Sequence, residues 1–106
     1  MAITVVNRRD PRDLGPRTYV GRGSPLGNPS KMRNRSDAER NRVCDEYEPW
    51  LRKQYTLPGS PQRRALDQLV ERHRAGEDLL LECYCAPQRC HADFVKHAIE
   101  RLSDLF

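Results

Sequence analysis

No apolar run in this 106-residue chain approaches the roughly 18 residues that a membrane-crossing helix needs, so a membrane-spanning helix is excluded. The first residues, MAITVVNRRD, place charge after a short apolar stretch rather than before it. They lack the order of a secretory signal, and a cytoplasmic protein is expected. No segment repeats and none is of low complexity, which leaves one domain over residues 1–106 with one modest core. The chain also lacks several common catalytic signatures. No Gly-Lys-Ser/Thr follows its glycine-rich stretch, and the spacing Gly21, Gly23, Gly27 is not G-x-G-x-x-G. No paired carboxylates of acid–base type and no Ser–His–Asp set stand out.

Charge is present in excess, and it is unevenly placed. Residues 1–35 hold eight basic side chains against Asp10 and Asp13, a surplus of six. Residues 36–106 carry 11 basic and 13 acidic ones, a deficit of two. The positive excess therefore surrounds the glycine-rich stretch Gly21–Pro29 (GRGSPLGNP). Such a concentration suits an anionic small molecule, a nucleotide or a nucleic acid, and equally a solvated basic face.

The apolar residues fall into periodic clusters. Ile3–Arg8 (ITVVNR) is a β-branched run and a predicted central strand. Residues 10–17, with Pro11, Gly15 and Pro16, form a loop, and Thr18–Val20 is a second short strand. Gly21–Pro29 follows and excludes regular structure. Its backbone N–H groups can form an anion-binding concavity, Arg22 and Ser24 add donors, and Asn28 is placed to cap or to read a base or sugar. Ser36 and Glu39 fit a capping box opening a helix with Val43, Tyr47, Trp50 and Leu51 on one face. Pro49 should kink that helix or end it near Glu48. Cys44 reads as a core thiol. Ser60-Pro61 opens a further helix that closes at Gly76, and His73 lies at the boundary of its apolar face.

Leu79–Cys85 is the most apolar run, with Leu79, Leu81, Cys83 and Cys85 alternating to one side. A turn over residues 86–89 leads to a helix from Cys90 or His91, and His97 reads as a surface residue. The pattern predicts a small three-layer, Rossmann-like α/β domain with a short, mostly parallel sheet and flanking helices. Its last strand should run parallel to its first. Asn7, Arg8, the glycine loop and the cysteine cluster then share the carboxyl edge of the sheet, where open α/β folds bind ligands.

Three of the four cysteines and one of the three histidines fall within residues 83–91. Three chemistries compete there. Cys83, Cys85, Cys90 and His91 match a Cys3His zinc composition, although C-x-C is a less common spacing than C-x2-C. Alternatively, Cys90 at a helix N-terminus beside Arg89 and His91 is a nucleophile-like thiol, with Cys90 and His91 as a catalytic pair. In the third, the cysteines pack as small apolar groups, the helix N-terminus offers N–H groups to a phosphate and His91 donates to the ligand.

Three stretches, Val5-Val6-Asn7-Arg8, Tyr19–Pro29 and Cys83–Asp93, together resemble a bacterial and bacteriophage family called domain of unknown function 4326. The likeness covers most of the chain. It implies an α/β domain with a site at the two motifs, in a bacterial or phage setting. The Cys–Pro–Cys-His end is also similar, locally, to domain of unknown function 488. The leading expectation is a pocket for a nucleotide-like or phosphorylated ligand. Asn7, Arg8, Gly21, Arg22, Gly23, Ser24, Gly27 and Asn28 would bind it, and Cys90 and His91 would act on it. The alternative is a zinc-stabilised, non-enzymatic module that binds nucleic acid or a host protein.

Overall fold

The computed structural model describes residues 2–84 and 90–105. Among these residues three strands, β1 (Ile3–Asn7), β2 (Thr18–Tyr19) and β3 (Leu79–Cys83), form one parallel sheet in the order β1-β3-β2. Three helices accompany it: α1 (Asp37–Thr56), α2 (Pro61–Arg74) and α3 (His91–Asp104). This is the small Rossmann-like α/β arrangement that the pattern predicts, with the last strand parallel to the first. β3 is described to Cys83, and Cys85, expected in the same strand, lies outside the described residues.

The alternation of β3 determines what the sheet buries. Leu79, Leu81 and Cys83 point to one face and are almost fully buried, and Ile3 pairs with Leu79 on that face. They pack in one cluster with Leu66 and Leu69 of α2 and Val95 and Ile99 of α3. Each such aliphatic side chain contributes about 1.5–3 kcal/mol by leaving water. The other face carries Glu82, which faces Arg17 at 3.7 Å and Arg8 at 3.8 Å. Arg17 also donates to the carbonyls of Asn7, Asp10 and Arg12, so one side chain ties down the loop that joins β1 to β2.

The helix ends follow the local chemistry, with two differences. Ser60 accepts from the Arg63 N–H at 3.1 Å, Pro61 takes the first helical position, and Gly76 beyond α2 has φ +96°. Ser36 accepts from the Glu39 N–H at 3.2 Å, but the reciprocal half of the capping box is not made. Asn34 takes the Ser36 N–H, and the Glu39 carboxylate accepts from the Arg33 N–H instead. Nor is the first helix ended near Glu48: α1 runs unbroken from Asp37 to Thr56 with Pro49 inside it. Pro49 faces solvent, while Tyr47 and Leu51 on either side are buried. Packing of that face on both sides of the proline outweighs the lost donor.

Candidate functional site

The carboxyl ends of the three strands meet the start of α3 at one edge of the sheet. Asn7 ends β1, and its side chain donates to the Tyr84 carbonyl at 3.0 Å and accepts from the Arg9 N–H at 2.8 Å. Arg8 donates its N–H to the Cys83 carbonyl at 2.6 Å. The Arg8 guanidinium lies over Tyr19 at 4.7 Å and over Tyr84 at 5.6 Å, and Arg9 lies 6.0 Å from the Tyr84 ring. Two tyrosines and two arginines thus crowd the strand ends.

The glycine-rich loop is a tight, self-bonded structure. Ser24 donates to the Gly21 carbonyl through both its N–H (3.1 Å) and its hydroxyl (2.6 Å), and the Gly27 N–H donates to the Ser24 carbonyl at 3.0 Å. Gly23 has φ +90°, which only glycine adopts readily. A Cβ on Gly27 would stand 2.4 Å from the Gly21 carbonyl oxygen, so close backbone approach requires a glycine there. Arg22 donates to the carbonyls of Asn28 and Ser30 at 3.0 and 2.8 Å. Asn28 is buried, donating to the Val43 carbonyl at 2.8 Å and accepting from the Ser30 N–H at 2.9 Å. The Asn28 amide thus anchors the loop to α1.

Cys90 caps α3, and its N–H is held by the Asp93 carboxylate at 3.3 Å. His91 is buried, with Nε2 2.5 Å from the Val20 carbonyl and Nδ1 3.4 Å from the Cys90 sulfur. A carbonyl only accepts, so Nε2 carries the hydrogen. Burial holds the His91 pKa below its ordinary value, against the opposing pull of the Val20 bond, and keeps the ring neutral. Nδ1 is then an acceptor, and the Cys90 S–H is the donor that faces it. His91 thus has its orienting partner in a backbone carbonyl 71 residues away, at the end of β2. A sequence search for a carboxylate misses such a partner.

These two regions line one cavity of ≈190 Å3. Gly21, Arg22 and Asn28 come from the loop, and Cys90 and His91 from α3. Asn7, Arg8, Gly23, Ser24 and Gly27 support the edge without lining the cavity, and so does the buried Cys83. Sequence reasoning missed Arg40, Val43 and Cys44 of α1, together with Tyr19, Met32 and Tyr84. Arg40 precedes Val43, Cys44 and Tyr47 at helical spacing. A basic residue in line with a buried stripe was the available signal. A larger groove of ≈360 Å3 lies among the three helices and contains none of these residues.

For the metal set, Cys85 lies outside the described residues. Among the described residues no three of His, Cys, Asp and Glu gather closely enough to hold a metal ion. No described helix is long and apolar enough to cross a membrane.

A family model described as a domain of unknown function (DUF4326) matches residues 5–101, a span that takes in the glycine loop and the start of α3. No curated protein and no solved structure matches the chain.

Proposed function

This chain belongs to the DUF4326 family, and we propose that it binds a nucleotide-like, phosphorylated ligand in the cavity between the glycine loop and the start of α3, with Cys90 as the reactive thiol. One observation carries this reading: the Cys90–His91 pair and the arginine-bearing loop share a cavity at the carboxyl edge of a parallel sheet. The basic surplus of the first 35 residues supports an anionic ligand. His91 is placed to take the Cys90 proton on Nδ1, leaving a thiolate beside an imidazolium whose Nε2–H stays on the Val20 carbonyl. Burial disfavours that ion pair and keeps the resting imidazole neutral. A cytoplasmic setting, in a bacterium or a phage-infected cell, keeps such thiols reduced.

Alkylation by iodoacetamide at neutral pH, mapped by peptide mass spectrometry, tests both parts. Cys44 lines the same cavity from α1, so it controls for access. Cys90 is expected to label at least about tenfold faster than Cys44, and His91→Gln should remove the difference. Millimolar nucleoside phosphate should slow the labelling of Cys90. Equal rates for the two thiols would sink the thiol chemistry, and lack of protection by any nucleoside phosphate would sink the ligand class.

The same geometry favours one second reading, a zinc-stabilised module binding nucleic acid or a host protein. A sulfur and a nitrogen on one tetrahedral zinc lie roughly 3.5 Å apart, close to the 3.4 Å between Cys90 Sγ and His91 Nδ1. A metal-bound histidine also donates its other N–H to a carbonyl, as His91 does. About one zinc per chain, with Cys90 labelled only after chelation, would replace the thiol reading with this one.

A further inference from the structure

The cavity is too small for a whole nucleotide. Its ≈190 Å3 falls below the roughly 300–1,000 Å3 of pockets that enclose drug-sized ligands. One end of the ligand must therefore stay outside. Resting on the binding reading above, we propose that the nucleobase enters first, that the phosphate stays at the mouth, and that Arg40 reads a keto oxygen on the base.

Three observations decide the orientation. The cavity is lined by Val43, Cys44 and Met32, with a neutral imidazole and a thiol beside them. A phosphate dianion stripped of water there loses far more than an uncharged ring does. Cations suited to phosphate lie at its rim instead. Arg22 lines the cavity from the exposed side of the loop, and Arg8 and Arg9 flank the exposed ring of Tyr84.

Arg40 supplies the third. It lines the cavity, and its Nε is a buried donor with no hydrogen-bond partner among the described residues. A buried N–H left unpaired is costly, so an acceptor brought to it is favoured. Its Nη1 is already 3.3 Å from Asp37. A single buried N–H matches a single carbonyl oxygen, and that is what the Arg40 Nε offers. An amino group at the same ring position presents a second donor and is repelled. The site should thus separate inosine from adenosine nucleotides, or uridine from cytidine nucleotides, by one exocyclic atom.

Isothermal titration of the full chain with IMP, AMP, UMP, CMP and ribose 5-phosphate tests this. Within the purine or the pyrimidine pair, the keto nucleotide should bind about tenfold or more tightly than the amino one. Ribose 5-phosphate should bind more weakly than either. Arg40→Lys keeps the charge beside Asp37 but removes the Nε–H, and should reduce the keto preference to about twofold or less. A short single strand ending in the preferred base forms a second arm. Tighter binding of the strand assigns a strand end as the source of the base, binding of the monomer alone assigns a free nucleotide, and both support entry by the base. Equal affinity for keto and amino nucleotides, or ribose 5-phosphate binding as well as they do, overturns base-first entry while the binding site itself stands. Absence of binding by every nucleotide removes the site reading as well.

Discussion

The two walls of the cavity use their polar groups in opposite ways. On the glycine-loop wall, the Ser24 and Gly27 N–H groups, the Arg22 guanidinium and the Asn28 amide are all bonded within the protein. On the facing wall, Arg40 keeps a buried donor without a partner among the described residues, and a neutral imidazole faces a thiol. The glycine loop looks from sequence like the ligand cradle, yet its composition serves its own tight path. The groups proposed above to act on a ligand come from an ordinary helical stretch and from the cap of α3. Glycine richness reports where the backbone must pass closely. Unsatisfied or exchangeable polar groups report where a ligand is expected.

Three measurements sharpen or break that contrast. The largest effect belongs to Gly27→Ala, whose Cβ would meet the Gly21 carbonyl at 2.4 Å and the Arg22 Cα at 3.0 Å. Both neighbours are backbone and cannot swing aside, so a loss of about 3 kcal/mol is expected in urea unfolding. A loss near zero would mean that the loop is not the rigid, self-bonded wall described. Next is Arg22→Ala. It removes two bonds to carbonyls but leaves solvent-exposed surroundings, so about 1 kcal/mol should be lost. If nucleotide protection of Cys90 vanishes while stability is unchanged, Arg22 is a ligand contact first and a loop clamp second, and the contrast between the walls weakens.

The smallest effect is a pH dependence from the other wall. His91 is held below its ordinary pKa by burial, so its folded form refuses a proton that the unfolded chain takes near pH 6.5. The unfolded state then binds more protons as the pH falls, and stability should drop below about pH 6.5 while remaining level just above it. The urea midpoint followed from pH 7 to pH 5 measures this slope. His91→Gln should flatten it, and an unchanged slope in that variant would place the titrating group elsewhere.

Much of this architecture was legible in the residues. The β-branched run at Ile3–Asn7, the alternation from Leu79 to Cys83, and the Ser60-Pro61 and Gly76 punctuation each act locally, so pattern alone places β1, β3 and α2. The meeting of the glycine loop and Cys90–His91 followed from the parallel sheet, whose carboxyl ends must share an edge. What was not legible depends on tertiary partners. Whether Pro49 ends α1 is decided by the packing of Tyr47 and Leu51 on both sides of it. That Asn28 anchors its loop is decided by the Val43 carbonyl on another element. Arg40 looks like any surface arginine of a charged helix until its Nε is found buried.

The order β1-β3-β2 also has a consequence for how the molecule comes into being. Among the described residues, the two strands made first never touch each other, because the strand between them follows both α1 and α2 in the chain. Until Leu79–Cys83 arrives, β1 and β2 have no ladder to join, and the Val20 carbonyl has no histidine to orient. Contacts of such long sequence separation form slowly, because the intervening chain must be ordered first. The paired helices α1 and α2 can assemble early from neighbouring sequence, whereas the sheet and the cavity at its edge must wait for the strand that follows both helices.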